Sequence, residues 1–171
     1  MICALVLTGA PGAGKSSILD ALTTLLELEG IEHGAIESEE LARGFPPLEN
    51  AVLAEELSRA LELQRRAGRR LFLVAFTAET ADELRAVARA TGAERVLIAC
   101  LSAPADLLAA RLQAREPDRW PGKAALISHA RELAVLAPQL AGIDITIETH
   151  GATPQAVARQ LHAAMRERGL I

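Results

Sequence analysis

The sequence predicts an α/β fold: a three-layer αβα sandwich with about five parallel strands between helices. Three observations predict it. Short apolar runs alternate with amphipathic helical stretches from one end of the chain to the other, and this alternation implies βαβ units with a parallel sheet covered on both faces. A glycine-rich loop joins the first apolar run to the first helical stretch. Half of the 171 residues are apolar and 23% are charged, which suits one full core and argues against a disordered chain.

Residues 2–8 are an apolar run rich in branched side chains, the pattern of a buried strand. Over 15–29, apolar residues recur at Ile18, Leu19, Leu22, Leu25 and Leu26 with helical spacing, and Gly30 ends the helix. Residues 34–37 form a weaker second strand. A long amphipathic helix over 48–67 is closed by Gly68, and the run 70–76 (RLFLVAF) is a third, buried strand. Thr80-Ala81-Asp82-Glu83 has the capping-box form and opens a helix that reaches Ala90, with Gly92 beyond it. A fourth strand over 95–101 leads into a helix over 104–115. Two prolines and a glycine then interrupt the pattern at 116–122. Helix returns at 123–136, and a fifth strand covers 143–148. Thr153-Pro154 starts a last helix that runs to about Arg168. No repeat, low-complexity tract or linker divides the chain, so residues 1–171 are expected to form one domain.

Composition excludes several functions. With three Phe, one Trp and no Tyr, the chain cannot offer the aromatic faces on which single-stranded nucleic acid stacks. Net charge is −4 without a compensating basic stripe, so a nucleic-acid partner is not expected. Cys3 and Cys100 lie in strand-like runs with no metal-binding spacing and read as reduced core residues. No apolar run reaches membrane-spanning length, and the first lacks the basic flank and length of a secretion signal. A cytoplasmic protein without a membrane partner is expected. Arginine outnumbers lysine sixteen to two, and the two lysines are Lys15 and Lys123.

Lys15 belongs to the strongest motif. Gly9-Ala10-Pro11-Gly12-Ala13-Gly14-Lys15-Ser16 fits G-x-x-x-x-G-K-[ST], the P-loop, and lies where it must, after a strand and at the opening of a helix. The glycines let successive backbone N–H groups point inward. The helix N-terminus adds partial positive charge where phosphates would sit. Lys15 can reach the β- and γ-phosphates as a point charge, and the Ser16 hydroxyl can ligate Mg²⁺. Residues 9–17, through Ser17, are therefore the expected site for a nucleoside triphosphate, ATP with magnesium.

Other P-loop classes are tested by what they require. Neither lysine sits in the N/T-K-x-D frame that reads guanine. The third strand runs Leu73-Val74-Ala75-Phe76-Thr77 and the fourth Ala99-Cys100-Leu101-Ser102, neither ending in the acid of motor-type ATPases; the nearest acid after the third strand is Glu79. The layout instead resembles, over nearly the whole chain, the small P-loop kinases, among them adenylylsulfate, gluconate and shikimate kinases and chloramphenicol phosphotransferase.

Beyond the P-loop, three segments carry this resemblance. Glu37-Ser38-Glu39-Glu40-Leu41-Ala42-Arg43 is similar to the acidic segment that such kinases place after the second strand. The resemblance implies that Glu37 and Glu39 help hold magnesium and orient the acceptor, and that Arg43 contacts the acceptor. Here the acids are Glu rather than Asp, and Arg43 comes one residue late. The same acids would also suit a solvated first helical turn, and Glu40 is read as facing solvent. Arg111-x-x-x-Arg115-Glu116-Pro117-Asp118-Arg119 resembles the short lid of these kinases, at about 111–123. The resemblance implies that its arginines close over the phosphates; a solvated arginine stripe is the other reading. Trp120 could stack on a ligand or pack the lid down. Residues 147–154, with Gly151 at their centre, resemble the loop that brackets the adenine ring, largely through backbone. His33, His129, His150 and His162 read as surface residues.

The expected function is transfer of the γ-phosphoryl group of ATP to a small-molecule acceptor, with Lys15, Glu39 and Arg115 as catalytic residues and Ser16 and Glu37 at the metal. A nucleotide-binding sensor, or a slow ATPase acting through a protein partner, is the alternative. The sequence names neither the acceptor nor a protein partner.

Overall fold

A computed structural model describes residues 1–41, 48 and 50–171. The expected acceptor contact Arg43 lies outside the described residues. Five strands, β1 (Cys3–Gly9), β2 (Gly34–Glu37), β3 (Leu71–Ala75), β4 (Arg95–Ser102) and β5 (Ile145–Glu148), form one sheet in the order β2-β3-β1-β4-β5. All four pairings are parallel. The helices are α1 (Lys15–Leu28), α2 (Ser38–Leu41), α3 (Asn50–Arg66), α4 (Ala81–Ala90), α5 (Ala105–Arg115), α6 (Lys123–Leu136) and α7 (Pro154–Glu167), with a 3₁₀ turn at Ala137–Gln139.

The three layers follow from strand alternation. Cys3, Leu5 and Leu7 of β1 point to one face, with Leu71 and Leu73 of β3 and Leu97 and Leu101 of β4. There they pack with Leu22 and Leu26 of α1, Leu108 of α5, Leu133 of α6 and Leu161 of α7. Ala4 and Val6 point the other way with Phe72, Val74 and Ile98, against Leu57 and Leu61 of α3 and Leu84 and Val87 of α4. Every residue of β1 and β3 is buried, as expected of strands covered on both faces. The edge strands β2 and β5 expose alternate residues.

Local signals behaved as the chemistry requires. The Thr80 side chain accepts from Glu83 N–H, and the Glu83 carboxylate accepts from the Thr80 amide, completing the capping box of α4. Thr153 caps α7 through Ala156 N–H, with Pro154 in the first turn. The short helix α2 was not anticipated as an element of its own, although Glu39 and Glu40 lie in its first turn. Four residues are too few for periodicity to reveal. Both cysteines are free and buried. Among the described residues, no helix is long and apolar enough to cross a membrane.

This strand order puts β1 in the centre, and the direction reverses beside it: the connection that leaves β1 runs through α1 to β2 on one side, and the one that leaves β3 runs through α4 to β4 on the other. Ligands of open α/β sheets bind outside the carboxyl ends of the strands at such a point. The glycine-rich loop leaves β1 there.

Candidate nucleotide-binding site

Geometry first explains the loop. Gly9 has φ +144°, and a Cβ there would lie 2.6 Å from the carbonyl oxygen of Leu101 on β4. Only glycine lets the chain leave the central strand this close to its neighbour. Gly14, at φ +97°, is the N-cap of α1 and offers no side-chain cap. The first-turn amides of α1 are thus left uncapped, which is the arrangement an anion at a helix N-terminus needs. By contrast, Thr80 and Thr153 cap α4 and α7 with their own side chains.

Lys15 is 9% exposed. Its ammonium donates to the carbonyl of Gly9 at 3.0 Å and to that of Ala10 at 3.4 Å. Burial pushes its pKa below the ordinary value of 10.5, opposed by the negative charge of Glu39 and, less strongly, of Glu37; Arg115 lowers it further. Beside it, Ser16 Oγ donates to Glu37 Oε2 at 2.8 Å, joining the start of α1 to the end of β2. Thr77, just past β3, donates from Oγ1 to Glu39 Oε1 at 2.9 Å. The backbone at this point is tied to β1, because Ala78 N–H donates to the buried Thr8 hydroxyl at 3.2 Å. Burial pushes the thiol of Cys100, in register with Thr8, up to about 11, although Lys15 pulls it down. It is a core thiol, not a nucleophile.

A cavity of about 810 Å³ is lined by Lys15, Ser16, Glu37 and Glu39, whereas Thr8, Thr77 and Cys100 are not on its wall. Residues 11–17, Glu37, Glu39, Arg111 and Arg115 all line it. Arg111 Nη1 donates to the carbonyl of Gly12 at 3.0 Å, so this guanidinium lies against the loop. Arg115 is 63% exposed and paired to Glu116 at 2.6 Å. Gly9 and Ala10 lie beneath the loop, where their carbonyls hold Lys15, and not on the cavity wall. Arg119 is exposed and does not line the wall; Trp120, its neighbour, does. Gly151 is also off the wall, which the adjacent Thr149, Ala152 and Pro154 form instead. Thr149 is fixed there by its amide and hydroxyl, which donate to Ser102 O at 2.8 Å and 3.2 Å. Glu40, read as facing solvent alone, is exposed but also reaches the cavity.

Sequence reasoning overlooked Thr77, because a threonine after a strand carries no signal until its partner Glu39 is brought beside it. It also missed Lys123, treated below. His33 Nδ1 lies 2.9 Å from Ile31 O, and two histidines face carboxylates: His129 Nε2 lies 3.1 Å from Glu79, and His162 Nε2 lies 2.9 Å from Glu29. Neither lines the cavity. The hydroxyl of Ser16 and the carboxylate of Glu37 are hard oxygen donors that fit Mg²⁺ shared with phosphate oxygens and water. Among the described residues, no group of three or more His, Cys, Asp or Glu forms a metal cage of the protein's own, which Mg²⁺ bound largely through phosphates does not need.

No protein-family model matches the chain, and no curated protein matches its sequence. Its fold, however, is that of the small P-loop kinases. The Mycobacterium tuberculosis APS kinase, in complex with AMPPNP and APS, superposes with a TM-score of 0.67 at 16% identity, over 96% of this chain and 98% of that one. Acinetobacter baumannii shikimate kinase, in complex with shikimate, gives 0.62 at 19% identity, over 100% of this chain and 97% of that one. The tunicamycin resistance protein of Deinococcus radiodurans gives 0.67 at 19% identity, over 96% of each. Fold and glycine loop together define a chain of the P-loop kinase architecture. At these identities the likeness is one of fold.

Proposed function

We propose that this protein is an ATP-dependent phosphotransferase that moves the γ-phosphoryl group of ATP to a hydroxyl, or to a phosphate or sulfate oxygen, of a small molecule. The observation that carries this reading is the meeting of Lys15, the Ser16–Glu37 pair and Glu39, the last held by Thr77, in one cavity at the carboxyl ends of β1 and β2.

In this reading the amides of residues 12–17 and the ammonium of Lys15 bind the β- and γ-phosphates. To do so Lys15 exchanges the carbonyls of Gly9 and Ala10 for phosphate oxygens. Ser16 and, directly or through water, Glu37 hold Mg²⁺, which supplies charge neutralisation between the phosphates. Glu39, oriented by Thr77, aligns the acceptor hydroxyl and takes its proton. Phosphoryl transfer is governed by positioning and charge. Arg111 and Arg115, with Arg119 from the same segment, neutralise the charge that builds on the equatorial oxygens. Arg115 must first leave Glu116. The 149–152 turn, with Gly151, flanks the base, and the segment around 111–123 acts as the lid. Arg43 is assigned to the acceptor.

The test is ADP release from ATP·Mg²⁺ by the purified chain, alone and with a panel of nucleosides, nucleotides, adenylylsulfate, sugar acids, shikimate and antibiotic alcohols, with Lys15→Ala as the blank. Stimulation by one acceptor, lost in the blank, establishes the kinase and its substrate class. ATP binding with a flat response to every acceptor overturns it in favour of a sensor or partner-dependent ATPase.

A further inference from the structure

With sixteen arginines and two lysines, lysine marks places where a guanidinium does not serve. Lys15 is one. The other, Lys123, is 7% exposed at the first position of α6. Its ammonium donates to Gln113 O at 2.7 Å, Glu116 O at 2.7 Å and Asp118 Oδ1 at 2.8 Å. All three of its protons are thereby used. A flat guanidinium fork cannot converge on three oxygens around one point, whereas a tetrahedral ammonium can.

Position makes this arrangement unusual. A cation at the N-terminus of its own helix is unfavourable, whereas one at a helix C-terminus is favourable. Gln113 O belongs to the last turn of α5 and Glu116 O to its C-cap, carbonyls with no partner inside the helix. Lys123 thus caps α5 from the far end of the segment 116–122 and closes that segment into a ring. Within the ring, Trp120 N–H donates to Pro117 O at 3.0 Å and Lys123 N–H to Trp120 O at 3.2 Å. The Trp120 ring lies across Gly122, where a Cβ would meet its Cζ2 at 2.5 Å. Arg115, at the start of the ring, and Trp120, within it, are the residues that this segment presents to the cavity together with Glu116.

We propose that Lys123 is a positioning residue: its three hydrogen bonds keep 116–122 folded without ligand, so that Arg115 and Trp120 already face the phosphate end of the cavity. This rests on the reading above that the cavity takes a nucleoside triphosphate. Trp120 is the sole tryptophan, so its fluorescence reports on this segment alone.

The experiment compares the wild type with Lys123→Met, Asp118→Asn and Gly122→Ala. It measures acrylamide quenching of Trp120, affinities for AMPPNP·Mg²⁺ and ADP·Mg²⁺, and thermal midpoints. Lys123→Met should raise the quenching constant about twofold and lower the preference for AMPPNP over ADP about threefold, a ratio that general loss of stability would leave unchanged. Asp118→Asn keeps both backbone acceptors and should change either value less than about 1.5-fold. Wild-type quenching and preference in Lys123→Met would overturn the proposal. Should Lys123→Met fail to fold, Gly122→Ala decides, because it displaces the ring without touching the ammonium: raised quenching with reduced preference supports the proposal, and no change overturns it. If the wild type binds neither nucleotide, the nucleotide reading falls, while quenching still decides whether the ammonium folds the segment.

Discussion

The two walls of the cavity are built in different ways. The P-loop wall is backbone: residues 11–17 follow a fully buried central strand and enter a helix whose apolar face is buried. The opposite wall is side chains, with Glu37 from an edge strand and Glu39 and Glu40 from the four-residue α2, Glu39 being held by Thr77 from the loop after β3. A backbone wall can bind a constant group, such as a phosphate, on a rigid frame. A side-chain wall can change its partner without changing the fold. The difference predicts that substitutions on the first wall cost nucleotide affinity, and that those on the second cost acceptor-dependent turnover.

The largest effect should come from Lys15→Ala. Removing the buried charge of the loop should weaken AMPPNP·Mg²⁺ by about a hundredfold or more, as expected for a desolvated charge contact worth about 3 kcal/mol. Circular dichroism should show the fold intact, because α1 keeps its apolar face. A titration with unchanged affinity would remove the backbone wall from the argument. Gly9→Ala tests the same wall through its geometry. The positive φ and the 2.6 Å approach to Leu101 O should cost about 2–4 kcal/mol of stability, read as a lower urea midpoint, together with weaker AMPPNP binding.

The same contrast explains what was legible beforehand. Everything the backbone wall needs lies within nine consecutive residues, so the motif reveals it, and the strands and long helices are likewise periodic over their own length. The other wall is assembled across the chain. Ser16 and Glu37 are 21 residues apart, and Glu39 and Thr77 are 38 apart. The acids stood out, but nothing in a threonine after β3 announces that it will orient one of them. Lys123 shows the same limit more sharply: its rarity was visible, whereas its three acceptors exist only after the segment 116–122 folds back. Arg119 and Gly151 lie in the expected segments but off the cavity wall. Their neighbours Trp120 and Ala152 reach the wall in their place, because spacing specifies a segment more reliably than the residue in it that turns inward.

Glu39→Gln sharpens the second half of the comparison. With a proton acceptor lost and the shape kept, acceptor-dependent ADP release should fall about a hundredfold, while AMPPNP affinity changes less than about threefold. Thr77→Val removes only the hydrogen bond that orients Glu39 and should reduce the same rate about tenfold, the lower end of the worth of one hydrogen bond to a charged group. Equal losses of nucleotide affinity in both variants would show that the two walls act as one.

The smallest effect is a dependence on pH in which two observables move in opposite directions. Burial lowers the pKa of Lys15 below its ordinary 10.5 in the free folded chain, and a triphosphate anion beside it would raise the pKa again. The ammonium is the binding form. Affinity for AMPPNP should therefore be greatest below the lowered pKa and fall as pH rises through it, by at most about tenfold per pH unit for one proton. The loss should begin below pH 10.5 and be absent in Lys15→Met. Stability takes the opposite sign. Between the lowered pKa and 10.5 the unfolded chain holds a proton that the folded chain has released, so the contribution of Lys15 to stability rises with pH. Wild type minus Lys15→Met, followed by urea unfolding across that window, should show the rise. A difference that fell with pH would mean that the carbonyls of Gly9 and Ala10 more than compensate for burial, and that the free loop binds its own lysine tightly enough to compete with nucleotide.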